Sequence, residues 1–274
     1  NSKDLKPEDM HLAAQAILAT GVTTFFPTLI TASFERLIHQ LKILKWAIEN
    51  DPFISKMCKG IHLEGPYISS TEGPRGIHLH HYIRPPKWDE FEKFQEACGG
   101  RIKLITLAPE REGCIDFIKK ATSSGVVVAI GHTEAAEEVL EEAAEAGAKL
   151  STHLGNGLGN QIHRFQNPFQ KQLAMDNLMA SIIVDGIHLP DYVVKNIVRA
   201  KTSQRILLCS DSMSGASQPP GTYRLGEIEV EVGENGRARK AGTDLLAGST
   251  LSMPEAINNV IKFTGSDLGT AIKM

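Results

Sequence analysis

Short apolar runs recur along this 274-residue chain, and five of them end in a histidine or a carboxylate. The five polar residues are Glu64, His132, His153, His188 and Asp211. Short apolar runs that alternate with amphipathic stretches are typical of buried parallel strands covered by helices. Residues that follow the carboxyl ends of such strands converge on one edge of the sheet or barrel. The pattern therefore predicts that these five side chains meet at one site.

Predicted strands and helices alternate from one end of the chain to the other. A helix is predicted from Pro7 to Gly21, a second over residues 34–49, and a third over residues 134–146 with Thr133 as its N-cap. The third helix carries six glutamates on one face, which we expect to be solvated rather than metal-binding. The predicted strands cover residues 22–28, 59–64, 102–108, 126–131, 149–153, 179–185 and 205–210.

Seven strands in this alternation predict an α/β fold, a (β/α)8 TIM barrel of the metal-dependent hydrolase type that is one strand short. The simplest account is that the first strand lies upstream of Asn1. An open, doubly wound sheet is the alternative. Residues 223–240 break the alternation, because apolar and polar residues alternate around Asn235-Gly236 and predict a β-hairpin. We expect this hairpin to decorate the rim of a single catalytic domain formed by residues 1–274.

Composition narrows the class of partner. The formal net charge of −3 supplies no positive field for a phosphate backbone, so we expect a small-molecule substrate and no nucleic acid. No apolar stretch is long enough for a transmembrane helix and the first residues do not resemble a secretory signal, which predicts a cytoplasmic protein without a membrane partner. Four cysteines without a CxxC pair predict free thiols: Cys58, Cys98, Cys114 and Cys209.

Two imidazoles and a carboxylate are ligands of catalytic metal sites, in which one position stays open for water. Glu64, His132 and His153 fit this pattern and predict a site for one divalent ion. Zinc is the expected metal, although iron, manganese and cobalt accept the same ligands. Asp211 would then act as general acid and base, and His188 would stabilise a developing oxyanion. The same three ligands could also form the facial triad of a non-haem iron oxygenase, which has no need of Asp211.

Other histidines have weaker signals. His62 shares a strand face with Glu64, which predicts a position inside the barrel beside the ligands rather than direct ligation. His78, His80 and His81 lie in a predicted loop, and among them we expect His78 to contact the substrate.

Several segments resemble the N-acetylglucosamine-6-phosphate deacetylase family of the amidohydrolase superfamily. The matching segments follow the family's order across most of the chain: His62-Leu63-Glu64-Gly65-Pro66, Leu107-Ala108-Pro109-Glu110, Gly131-His132-Thr133, Thr152-His153-Leu154 with Asn156, Asp185-Gly186-Ile187-His188, Ser210-Asp211 and Leu246-Ala247-Gly248-Ser249. The resemblance implies a metal held by Glu64, His132 and His153, with Asp211 as general acid and base and His188 at the substrate carbonyl.

The resemblance also implies deacetylation of N-acetylglucosamine 6-phosphate to glucosamine 6-phosphate and acetate by a homodimer. The residues expected to bind the sugar are His78, Asn156, Gly157, Arg164 and His188. Family members usually carry a small β-sandwich built from both chain ends, for which we expect no counterpart within residues 1–274. Gly157 replaces an alanine, and Arg164 is one residue out of register with the family's phosphate-binding arginine. Another N-acyl or cyclic amide substrate, or an inactive sugar-binding relative, therefore remains an alternative.

Overall fold

A computed structural model describes residues 5–274 and contains one parallel sheet of seven strands. Neighbouring strands in the sheet follow the order of the chain, and the sheet curls with its helices into a partial (β/α)8 barrel. The strands are β1 Thr28–Ile30, β2 Ile61–Glu64, β3 Ile102–Leu107, β4 Val127–Ile130, β5 Leu150–Ser151, β6 Met179–Ile182 and β7 Ile206–Leu208. The TIM-barrel prediction is confirmed. The doubly wound alternative is wrong, because that fold requires a reversal of strand order that this sheet lacks.

Helices separate the successive strands. They are α1 Pro7–Ala19, α2 Phe34–Asn50, α3 Pro52–Met57, α4 Trp88–Cys98, α5 Cys114–Ser123, α6 Glu137–Glu145, α7 Pro168–Ala174, α8 Asp191–Lys201, α9 Met253–Thr264 and α10 Leu268–Lys273. The largest buried apolar cluster joins strands β1 to β4 to the inner faces of α1 to α6. The predicted helices at residues 7–21 and 34–49 are confirmed.

The first strand lies further along the chain than predicted. Residues 22–27 contribute only an isolated bridge between Phe25 and Cys58, and β1 begins at Thr28. Pro27 explains the displacement, because it has no N–H to donate to a strand ladder. Its carbonyl still accepts a hydrogen bond from the backbone of His62 at 3.1 Å, which begins the pairing of β1 with β2.

Helix α6 begins three residues later than predicted, and its N-cap is Ala136. Thr133 is therefore not the cap. Its hydroxyl donates to Glu110 at 2.5 Å and accepts from the backbone N–H of Ala135 at 3.0 Å. Five of the six glutamates in the segment are exposed and the sixth is half-buried, which confirms that the acidic face meets solvent.

The segment around residues 223–240 forms three antiparallel strands rather than a single hairpin. They are β8 Gly221–Leu225, β9 Ile228–Val232 and β10 Ala238–Lys240. Asn235-Gly236 lies between β9 and β10 as predicted, while the turn between β8 and β9 lacked a recognisable signal. The apolar face of this small sheet packs on Ile77, Met213 and Ala247. That residues 1–274 form one domain stays a prediction.

All four cysteines are free thiols, as predicted. Within residues 5–274, no helix combines the length and the apolar character needed to cross a bilayer.

Candidate metal-dependent active site

Three ligand atoms from three different strand ends meet at the mouth of the barrel. The Nε2 atoms of His132 and His153 lie 2.9 and 3.1 Å from Oε1 of Glu64, and 3.1 Å from each other. Glu64 is the last residue of β2, and each histidine lies two residues beyond the end of its strand, β4 or β5. All three side chains are buried. The sequence-based expectation that these residues converge therefore agrees with the distances.

The hydrogen bond on the far side of His132 orients its ring. Nδ1 lies 2.9 Å from the carbonyl oxygen of Pro74, which can only accept, so Nδ1 carries the proton. In the neutral ring, the lone pair of Nε2 then points at a carboxylate oxygen of Glu64. Two acceptors at 2.9 Å repel each other unless a proton or a cation lies between them. Histidines that bind metals show this arrangement, because the outer hydrogen bond selects the tautomer that coordinates.

Glu64 and His153 shift each other's pKa values. Burial alone would raise the pKa of Glu64, but the hydrogen bonds and charges of His132 and His153 hold that pKa well below its usual range. Burial alone would lower the pKa of His153, but its hydrogen bond with Glu64 raises it. Ligand atoms around a tetrahedral zinc ion lie about 3.3 Å apart, close to the separations seen here. These residues can therefore hold a divalent metal ion.

His78 is a third buried histidine at this cluster. Its ring packs edge-on against that of His132 with centroids 4.5 Å apart, and its Nε2 lies 3.9 Å from Oε1 of Glu64. The other nitrogen, Nδ1, lies 2.8 Å from the hydroxyl of Thr31. The ligand atoms of Glu64, His78 and His132 all lie within 4.8 Å of one another. The set with His153 has the shorter separations, and its role as the third ligand stays a prediction.

Three of the predicted site residues have left-handed backbone conformations. The φ angles are +52° at His132, +32° at His153 and +49° at Asp211. A residue other than glycine in this region costs about 1–3 kcal/mol, and such strain concentrates at functional sites. Each peptide is held by a hydrogen bond to another segment. Ser69 N donates to His132 O at 3.0 Å, His153 N donates to Ser181 Oγ at 2.8 Å, and Ser249 N donates to Asp211 O at 2.8 Å. The turns bring these side chains over the barrel mouth.

Asp211 follows β7, and the charges of the cluster act on its pKa. Burial and the negative charge of Glu64 raise the pKa of Asp211 to about 6, although the charges of His153, His188 and His132 oppose the shift. A carboxyl group with a pKa close to neutrality can both take up and release a proton at physiological pH. A role for Asp211 as general acid and base stays a prediction.

His188, beyond β6, is oriented by Asp185. Its Nδ1 lies 2.6 Å from Oδ2 of Asp185, and the backbone N–H groups of Ile187 and His188 both donate to Oδ1 at 2.8 Å. Burial would raise the pKa of Asp185, but the hydrogen bond and charge of His188 lower it. The ionised carboxylate thus fixes the imidazole with Nε2 on the opposite side of the ring.

The residues expected to bind a sugar differ in their surroundings. Asn156 is half-buried, and its side-chain amide donates to the carbonyl of His153 at 3.1 Å. Gly157 packs so closely that a Cβ there would lie 2.9 Å from Nδ1 of His132. Arg164 is exposed and its guanidinium lies 5.7 Å from the centre of the Phe165 ring. The roles of these residues in substrate binding stay predictions.

His62 lies inside the barrel, below the ligands. Its Nε2 lies 2.7 Å from the hydroxyl of Thr106, which lies 2.7 Å from the hydroxyl of Thr152. Burial lowers the pKa of His62 to about 4, so the ring is neutral at physiological pH. These contacts agree with a position beside the ligands rather than among them.

The sequence analysis missed the residues that orient the predicted groups. Thr31, the Pro74 carbonyl and Asp185 support His78, His132 and His188 respectively. Asp185 had a signal, because it stands three residues before His188 in a matching segment. Thr31 and Pro74 had none, because each contact joins segments far apart in the sequence.

Relatives of known function resemble the whole chain, although no protein-family model matches it. The chain is 32% identical to the N-acetylglucosamine-6-phosphate deacetylase of Lysinibacillus sphaericus over all of this chain and 70% of that protein. It is 34% identical to the enzyme of that name from Bacillus subtilis over 96% of this chain and 66% of that protein. The chain thus spans about two thirds of the length of these relatives.

Solved structures show the same fold. A mutant of the Mycobacterium smegmatis enzyme of this name, in complex with N-acetyl-D-glucosamine-6-phosphate, matches 97% of this chain and 68% of its own length with a TM-score of 0.89 and 31% identity. The Thermotoga maritima enzyme matches 97% of this chain and 70% of its own length with a TM-score of 0.87 and 32% identity. Together with the sequence relatives, these structures establish that the chain belongs to the N-acetylglucosamine-6-phosphate deacetylase family.

Proposed function

We propose that this chain forms the metal-dependent active site of a deacetylase, which hydrolyses the acetamide of N-acetylglucosamine 6-phosphate to glucosamine 6-phosphate and acetate. The observation that carries the proposal is the approach of Glu64 Oε1 and the Nε2 atoms of His132 and His153 to within 2.9–3.1 Å of one another. Family membership supports the reaction and the substrate class.

The proposed cofactor is one divalent ion held by Glu64, His132 and His153, with zinc the first candidate. Two imidazoles and one carboxylate suit zinc, and iron, manganese and cobalt accept the same set. When bound, such an ion favours ionisation of water at neutral pH and polarises a carbonyl group. The buried walls of the cluster keep the ligand atoms in place before the ion binds, so little reorganisation is needed.

Asp211 moves the proton in the proposed reaction. As a carboxylate it accepts a proton from the attacking water, and as a carboxylic acid it returns that proton to the amide nitrogen when the C–N bond breaks. Protonation of the nitrogen is required, because an amine leaves poorly as an anion. A pKa raised to about 6 by burial and the charge of Glu64 suits both steps.

His188 stabilises the charge that develops on the acetyl oxygen. Asp185 holds Nδ1 of His188, so the opposite nitrogen is the one available to the substrate. In this role Nε2 of His188 faces the acetyl oxygen, and the hydrogen bond between Nδ1 and Asp185 holds the ring in place. A hydrogen-bond donor held rigidly at a developing oxyanion contributes to the rate because it needs no reorientation during the reaction.

Substrate identity depends on the residues beyond the acetamide. We propose that His78, Asn156 and the backbone at Gly157 contact the sugar, and that Arg164 binds the 6-phosphate. The phosphorylated sugar in the M. smegmatis complex supports this substrate for a relative of 31% identity. Arg164 is exposed, so it is free to turn toward a phosphate without breaking a buried ion pair.

The decisive experiment combines elemental analysis of the purified protein with acetate release from the phosphorylated and unphosphorylated sugars, measured side by side. We expect one equivalent of a divalent metal and a strong preference for the 6-phosphate. Arg164→Ala should raise KM for the phosphorylated sugar and leave the unphosphorylated sugar unaffected.

Asp211→Asn provides the test of the proton transfer, because it should keep the metal and lower kcat by about 10²–10⁴-fold. A metal-loaded protein that releases no acetate from either sugar would instead favour an inactive sugar-binding relative. Equal rates on both sugars would remove the phosphate from the proposal.

A further inference from the structure

Glu110 lies between the loops that follow β3 and β4 and uses both carboxylate oxygens to join them. Oε2 accepts a hydrogen bond from the hydroxyl of Thr133 at 2.5 Å, and Oε1 accepts from the backbone N–H of Glu134 at 3.0 Å. Thr133 and Glu134 directly follow the metal-ligand candidate His132. One side chain thus holds the two residues next to a ligand.

The loop after β2 is tied to the same point. Ser69 donates from its backbone to the carbonyl of His132 at 3.0 Å and from its hydroxyl to the carboxylate of Glu134 at 3.1 Å. The hydroxyl of Thr71 also donates to the Glu134 carboxylate. Three consecutive β–α loops are therefore connected by hydrogen bonds around the peptide that follows His132.

This network acts on a strained residue. His132 has a φ angle of +52°, a conformation that an isolated chain abandons for a relaxed one. Its ring must point at Glu64 at 2.9 Å while its Nδ1 lies 2.9 Å from Pro74 O. Relaxation of φ at His132 would swing the ring away from both partners, and the bonds from Thr133 and Glu134 to Glu110 oppose that relaxation.

We propose that Glu110 is a positioning residue for metal binding, which holds His132 in its ligating conformation through the two residues that follow it. The proposal gives a physical role to the run Leu107-Ala108-Pro109-Glu110 at the end of β3, a strand that supplies none of the proposed ligands. It rests on the metal site of the proposed function but not on the identity of the substrate.

Metal affinity in the absence of substrate is the measurement that tests this role. Glu110→Ala removes both acceptors, Glu110→Gln keeps one carbonyl oxygen, and Glu112→Ala is the matched control because Glu112 is an exposed glutamate in the same loop. Dissociation constants come from competition with a chromophoric chelator, and the visible spectrum of the Co²⁺-loaded protein reports the coordination geometry. Loss of an outer residue of a metal site commonly lowers affinity about 10–100-fold.

We expect Glu110→Ala to weaken metal binding about tenfold or more and to alter the Co²⁺ spectrum, with a smaller loss for Glu110→Gln and no loss for Glu112→Ala. At saturating metal, kcat should fall while KM stays near its original value. If Glu110→Ala does not fold, then Glu110→Gln and Thr133→Val provide the smaller perturbations. An altered Co²⁺ spectrum in these variants supports the positioning role, and unchanged spectra overturn it.

A purely structural role predicts a different result. Variants with a lowered Tm but unchanged metal affinity and an unchanged Co²⁺ spectrum at 25 °C would overturn the proposal. Failure of the unmutated protein to bind metal would overturn the proposed function itself, so the two failures are distinguishable.

Discussion

The ionised form of Asp211 destabilises the metal-free protein, and replacement by asparagine should relieve that cost. Burial and the charge of Glu64 raise the pKa of Asp211 from its ordinary value of 3.8 to about 6. The folded state therefore binds this proton more tightly than the unfolded state. Stability is lost as the pH rises from about 4 to about 6, and the full cost is present above that range.

The pKa shift sets the size of the effect. One pKa unit corresponds to about 1.4 kcal/mol, so a rise from 3.8 to about 6 corresponds to at most about 3 kcal/mol at pH 7.5. Asp211 keeps some contact with solvent, and we expect Asp211→Asn to raise the free energy of unfolding by about 2 kcal/mol. For a chain of this length that corresponds to roughly 5 °C in Tm. At pH 5 the gain should be about half as large.

Thermal unfolding of the chelator-treated protein, followed by circular dichroism at pH 5 and pH 7.5, measures this difference. Asp185→Asn is the matched control, because the pKa of Asp185 is shifted in the opposite direction. Burial would raise this pKa, but the hydrogen bond and charge of His188 lower it. Its stabilising contribution is present above the unfolded-state pKa and is lost only as the pH falls through the lower folded-state pKa. Asp185→Asn should therefore lower Tm at both pH values. Added Zn²⁺ should shrink the advantage of Asp211→Asn, since a cation offsets the charge of Glu64.

If Asp211→Asn leaves Tm unchanged at pH 7.5, or lowers it equally at both pH values, then Asp211 is not ionised against the charge of Glu64 in the folded, metal-free protein. The proposed proton transfer by Asp211 would then be supported only by the effect of Asp211→Asn on kcat.

The remaining predictions concern the ligands and their supports. Glu64→Gln should lower metal affinity by at least about 100-fold, as measured by elemental analysis after dialysis, because the charged oxygen shared by both histidines is lost. Asp185→Asn should lower kcat about 10–100-fold with metal content unchanged, since His188 loses its orienting anion.

Local sequence patterns were sufficient to predict the α/β architecture of this protein. Hydrophobic runs report burial along a few consecutive residues, and they located six of the seven strands of the parallel sheet together with the polar residue at or beyond the end of each functional one. The displacement of β1 past Pro27 and the late start of α6 show the limit of that information. Pro27 has no N–H for a strand ladder, so an apolar run alone places β1 too early. The hydroxyl of Thr133 donates to Glu110, a distant partner that a local pattern cannot register.

Only the tertiary structure decided how the site residues are oriented. The Pro74 carbonyl that selects the tautomer of His132 lies 58 residues away in the chain, and Thr31 lies 47 residues from His78. Such contacts depend on how loops from different strands pack over the barrel mouth. The sequence by itself thus determined which residues arrive at the site, because strand ends in a parallel barrel must converge. Their protonation, ring orientation and backbone strain were decided by loop packing, because those properties depend on neighbours that are distant in sequence.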